Sequence, residues 1–172
     1  MTIILTIIIF IGIISLVYFL AYNNLQANTI KINEAESIID ELLKKKYDLL
    51  LSMQKIISTE VKVDKKIFAD LKNLKDKNLS SFKFERKITE FEKLVNKIKN
   101  DHSALEEHKD FNKELEVIYT INEKLEATKT FYNKYTEHLN STVKKFPSNI
   151  IAKIHKIKPS ETFDGNTNDF KS

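Results

Sequence analysis

Residues 111–146 read FNKELEVIYTINEKLEATKTFYNKYTEHLNSTVKKF, and every seventh side chain from Phe111 onward is apolar. Phe111, Ile118, Leu125, Tyr132, Leu139 and Phe146 form that line without exception. Seven residues are close to two turns of a helix, so these side chains share one face. The neighbouring line is mixed: Leu115, Asn122, Lys129, Thr136 and Val143. One long helix with a single strong apolar seam is expected, stopped by Pro147.

The same reading extends towards the N-terminus because the chain lacks helix breakers. The glycines are Gly12 and Gly165 and the prolines Pro147 and Pro159, so Ile13 to Phe146 contains neither. These residues cost about 1 and 3 kcal/mol in a helix interior and form most tight turns, so a strand-rich fold would be hard to turn here. Leu25, Ile32, Ile39 and Met53 recur in steps of seven, with Lys46 the polar member of the line. Ala35, Leu42, Leu49 and Ile56 form a second line, and Leu43, Leu50 and Ile57 widen the stripe to a bundle-helix face. A shorter amphipathic stretch covers 64–77, with Asp64 as N-cap and Ile67, Leu71 and Leu74 on one face. Asn78 to Ser81 reads as a loop, with Ser81 capping a helix whose face is Phe84, Ile88, Phe91, Leu94, Val95 and Ile98. Asn100 to Ser103 is the next break, and Ser148 to Lys156 a short terminal helix.

Ile3 to Ala21 is apolar except for Thr6, Gly12 and Ser15. Some 20 helical residues span roughly 30 Å, the thickness of a bilayer core. Tyr18 and Tyr22 stand near the far end, where aromatic rings suit headgroups. A cleaved signal would want a basic residue before the run and small residues after it, so a retained anchor is favoured. The first lysines after the span are Lys31 and Lys44 to Lys46. The positive-inside rule then predicts a cell-membrane protein with its N-terminus outside and its bulk in the cytoplasm. Nothing between this segment and the next compels a turn. The expected fold is all-α: an N-terminal transmembrane helix followed by an antiparallel, coiled-coil-like bundle of about four helices crossing at about 20°. The organisation is an anchor at 1–22, a bundle at 23–158 and a polar, loosely ordered tail at 159–172, Phe163 excepted.

The net charge of +4 lies wholly after the apolar segment, and lysines alternate with acids. That pattern describes a solvated helix surface and disfavours nucleic acid as a partner. Cysteine is absent, which excludes disulfides and thiolate metal sites.

Several short motifs then resemble the LemA family. Tyr132-Asn133, Leu139-Asn140, Phe146-Pro147, Ile151-Ala152 and Phe163 match its C-terminal signature in order and spacing. Tyr22-Asn23-Asn24-Leu25 looks like its motif just after the span, and Tyr47-Asp48-Leu49 like its Asp-Leu element. The chain departs from the pattern at Lys46 and Lys129, where arginine is expected, at Leu51-Ser52, where Pro-Asn is usual, and at His102-Ser103-Ala104-Leu105, where Tyr-Pro-x-Leu is common. Lysine and arginine are not equivalent where a planar two-pronged donor is needed. The resemblance implies a single-pass, N-out helical-bundle protein and supplies no enzymatic activity.

A di-iron centre needs inward Glu-x-x-His pairs. His102, His108, His138 and His155 are preceded at that spacing by Lys99, Leu105, Tyr135 and Ala152, and no two histidines are four apart. Solvated or capping histidines are the favoured reading, and no cofactor or metal is predicted. Tyr132, Asn133 and Asn140 could form a binding site, but a core tyrosine with asparagines bonding across helices or capping is favoured. Asn140-Ser141-Thr142 matches a glycosylation acceptor, which means little within a helix on the cytoplasmic side. Lys144, Lys145, Lys153, Lys156 and Lys158 surround Ile150, Ile154 and Ile157 without an acid. The segment could rest on an anionic leaflet, or its isoleucines could close the bundle; its shortness favours closure.

The functional expectation is a non-enzymatic, membrane-anchored scaffold or adaptor, with the lipid bilayer and unidentified proteins as partners. An envelope-remodelling or pore-type protein built from several anchors is an alternative, weakly supported by Gly12 against Ser15 and Leu16. A homo-oligomeric spacer is another.

Overall fold

The computed structural model describes residues 1–63, 68, 71, 73–74 and 79–163. Among the described residues the fold is all-α, with no strand. Helix α1 runs Thr2–Glu60, α2 Ser81–Asp101, α3 Ser103–Glu106, α4 Lys109–Thr142 and α5 Ser148–Ile154. The Asp64 cap, Ile67 and Asn78 lie outside the described residues, as does the tail after Phe163. Phe68, Leu71 and Leu74 of that intermediate stretch are buried.

Helix α1 is continuous over 59 residues, from the apolar segment into the bundle. Every residue from Met1 to Leu20 is exposed, and this part of α1 is long and apolar enough to cross a bilayer. Farther on, Leu25, Ile32, Ile39, Lys46 and Met53 are all buried, the lysine included. The second line is shifted from its expected place. Leu42, Leu49 and Ile56 are half-buried, whereas Leu43, Leu50 and Ile57 are fully buried.

The chain forms two compact units, residues 1–35 with 129–172 and residues 36–128. In the second, Ser81 Oγ donates to Asp40 Oδ1 at 2.6 Å, and the Tyr47 and Phe84 rings lie 5.8 Å apart. Residue numbers therefore rise together along α1 and α2. Along α1 and α4 they run opposite, since Ser52 donates to Glu114 Oε1 at 2.7 Å and Lys46 to Asn122 Oδ1 at 2.8 Å. Helices α2 and α4, joined by a short break, thus run in opposite directions. Ser81 does not cap α2: Ser80 holds that position, without a side-chain cap. Buried Ile88, Phe91, Val95 and Ile98 form most of the expected face, with Glu92 among them.

In the first unit α4 again runs opposite to α1, with Asn28 facing His138 and Lys31 facing Tyr135. Helix α4 ends at Thr142, short of Phe146, which is 80 % exposed and so leaves the seam. Pro147 would clash with the carbonyl of Val143 and disfavours helical geometry at Phe146, so the last turn tightens early. The N–H groups of Lys144 and Lys145 bond three residues back instead of four. Helix α5 closes with Lys156 at φ 56°, while Ile157 N–H reaches Ala152 O and Lys156 N–H reaches Lys153 O. This pair of bonds is the usual left-handed helix stop, here on lysine in place of the commoner glycine.

Candidate functional site

Two polar clusters stand out, one in each unit. In residues 36–128, Lys46 projects from the apolar face of α1 and is 4 % exposed. Its Nζ lies 2.6 Å from Glu92 Oε2 on α2 and 2.8 Å from Asn122 Oδ1 on α4. Asn122 closes the ring by donating to Glu92 Oε1 at 2.6 Å. Three helices thus meet at one satisfied triad. A buried charge without partners would be costly, so the triad fixes which side chains stand opposite one another. The position where family resemblance expects arginine holds a lysine that donates to both neighbours. Lys44, Lys45 and Asp48 of the same stretch are exposed and Leu49 is half-buried.

In the other unit, the signature residues converge on the chain after α5. Asn140 Nδ2 donates to Ser160 O and Asn140 Oδ1 accepts from Ser160 N–H, both at 2.9 Å. Two turns earlier Asn133 Oδ1 accepts from Phe163 N–H at 2.8 Å. Tyr132 meets the Phe163 ring edge-on, with centroids 5.1 Å apart. Both asparagines thus satisfy backbone groups of the segment that follows α5. Ser160 and Phe163, the latter the exception expected within the tail, are thereby tied to α4. Pro147 occupies the N-cap of α5, and Ala152 and Ile151 are buried beneath it. Leu25 is buried, Tyr22 half-buried and Asn23 exposed.

The histidines divide by role. His102 Nδ1 lies 2.9 Å from Ile98 O at the end of α2, and His108 Nδ1 accepts from Phe111 N–H at 3.2 Å as α4 begins. His138 Nδ1 is 3.1 Å from Asn28 Oδ1, and His155 Nε2 2.7 Å from the Tyr18 hydroxyl. Two serve helix ends as expected; the other two bind side chains of α1. Spacing along the chain carries no signal for such contacts between distant segments.

Glu92 and Asn122 were missed as partners of Lys46. The available signal was a lysine in one apolar line and an asparagine in another. Val143 and Lys129 are half-buried, and Thr136 is completely buried with its hydroxyl unpartnered.

An exposed apolar helix that continues into an all-helical bundle, with heptad-spaced asparagines holding the returning chain, defines the class. The model of the LemA family matches residues 35–172, and the chain belongs to that family. Tyr22 to Leu25 precede the matched region. No curated protein and no solved structure matches the chain.

Proposed function

We propose that this protein is a membrane-anchored scaffold that works through contacts instead of catalysis. Helix α1 spans the cell membrane with the N-terminus outside, and the helical units present their faces to proteins beside the cytoplasmic leaflet. The observation that carries this is the unbroken α1, which is exposed and mostly apolar up to Leu20 while its later turns supply core residues. Exposed apolar surface of that extent calls for lipid. Helix-face contact is supported by the exposed Ile30 and Phe131, with Lys31 Nζ 5.0 Å from the Tyr135 ring centroid beside them. Aromatic side chains such as these are enriched at protein interfaces.

Alkaline carbonate extraction tests the anchor. The wild-type chain stays with membranes, whereas I8D/I11D, at about 2.5 to 3.5 kcal/mol per charge at mid-bilayer, is released. Release of the wild type would overturn the reading. Proximity labelling from a tag at Ser172 tests the scaffold. Cytoplasmic neighbours lost on Phe131→Asp support it; labelling of extracytoplasmic proteins, or a pattern unchanged by Phe131→Asp, counts against it.

A further inference from the structure

We infer that the segment from Lys144 to Lys158 is an anionic-lipid contact, lying on the headgroups of the leaflet from which α1 emerges. It rests on the reading of α1 as a bilayer-spanning helix. Three independent observations meet in this segment.

The first is apolar exposure. Ile150 and Ile154, one turn apart on α5, are 51 % and 62 % exposed, and Phe146 before them is more exposed still. Of the three isoleucines expected to close the bundle, Ile150 and Ile154 therefore face out and Ile157 is half-buried, while the inward positions of α5 belong to Ile151 and Ala152. The second is charge. Lys144, Lys145, Lys153, Lys156 and Lys158 are all exposed, and no acid occurs between His138 and Ser160. Lysines flanking exposed aliphatic side chains can bury their stems while keeping the ammonium groups among phosphates.

The third is position. His155 follows Ile154 directly, and its Nε2 lies 2.7 Å from the hydroxyl of Tyr18. Its ring centroid is 4.6 Å from that of Tyr22. Tyr18 belongs to the apolar run, in the turn where a spanning helix meets headgroups. A segment bonded to that hydroxyl shares its depth, so Ile150 and Ile154 meet the interface. An acidic protein would satisfy the lysines, but the tie to Tyr18 places them beside lipid first. The left-handed turn at Lys156 ends α5 there and keeps the patch short.

The chain has no cysteine, so single labelling sites can be introduced into the full-length protein. An environment-sensitive fluorophore is attached at Ile154→Cys, at Ile150→Cys and, for the anchor, at Ile13→Cys. Each protein is reconstituted into vesicles of phosphatidylcholine alone or mixed with phosphatidylglycerol, with quencher-bearing lipids. Blue-shifted emission and lipid quenching are expected at Ile154 and Ile150 in the phosphatidylglycerol vesicles. Both should fall to the neutral-vesicle level in K153E/K156E/K158E or at molar salt. Quenching at Ile13 without quenching at either isoleucine overturns the inference and leaves the anchor standing. No quenching at Ile13 removes both. Equal quenching in the two vesicle types overturns the recognition of anionic lipid. A blue shift that follows protein concentration without lipid quenching assigns the patch to a second copy, which also overturns it.

Discussion

The Lys46 ammonium lies 2.6 Å from the Glu92 carboxylate, and the pair is nearly sealed from water between helices. Asn122 bonds to both, so neither charge is left to a single partner. Taking two ions out of water is costly, and the attraction between them offsets that cost only while both are present.

Single removal should therefore hurt more than joint removal. Lys46→Met or Glu92→Leu alone is expected to lower stability by about 3 to 5 kcal/mol, because each strands an opposite charge. The double variant K46M/E92L should recover most of that loss. Urea unfolding of the micelle-held protein, followed by circular dichroism, gives all three values. Equal losses in the singles and the double would disprove the coupling.

Glu36 gives a pH signature. Burial raises its carboxyl above the ordinary range, and the charge of Asp40 one turn on adds to the effect. The folded state thus holds this proton more tightly than the unfolded chain. The stability linked to it is complete below the unfolded value and declines as pH climbs through the folded one. Glu36→Gln should consequently be more stable than wild type at neutral pH, with the gap closing near about pH 4. Thermal melts across that range decide it; a gap that widens on acidification contradicts the assignment.

Thr136 is completely buried, and its hydroxyl has no partner. Thr136→Val keeps the shape and removes the unsatisfied group, so a gain of about 1 kcal/mol is expected. A destabilised variant would mean that the hydroxyl is bonded in solution.

Asn140 holds both backbone groups of Ser160. Asn140→Ala should cost about 1 to 3 kcal/mol in local opening of the residues that follow α5. Amide hydrogen exchange at Ser160 and Phe163 would rise by one to two orders of magnitude, with little change in α2. Unchanged exchange at Ser160 would refute the clamp.

Much of this architecture was legible in the residues. Helices α1 and α4 follow from apolar lines and missing breakers, because both signals are local and periodic. The partner of Lys46 was hidden for the opposite reason: Glu92 lies on a separate helix, and a repeat says which face is inward without saying what stands across from it. The widening residues Leu43 and Leu50 are buried more deeply than Leu42 and Leu49 of the second line, a difference that a count of sevens does not rank. The expected end of α4 overshot because Phe146 keeps the apolar period while Pro147 has already unwound its backbone. The signature asparagines stand out by spacing, but their bonds go to a non-helical segment that has no period of its own.

That last arrangement has a metric consequence. Seven helical residues from Asn133 to Asn140 rise about 10.5 Å, and the three residues from Ser160 to Phe163 reach at most roughly 10 Å. The two asparagines act as a gauge with fixed jaws, accepting a returning chain of one length. Inserting or deleting a single residue between Ser160 and Phe163 would throw one jaw out of step with the other, however well the composition were preserved.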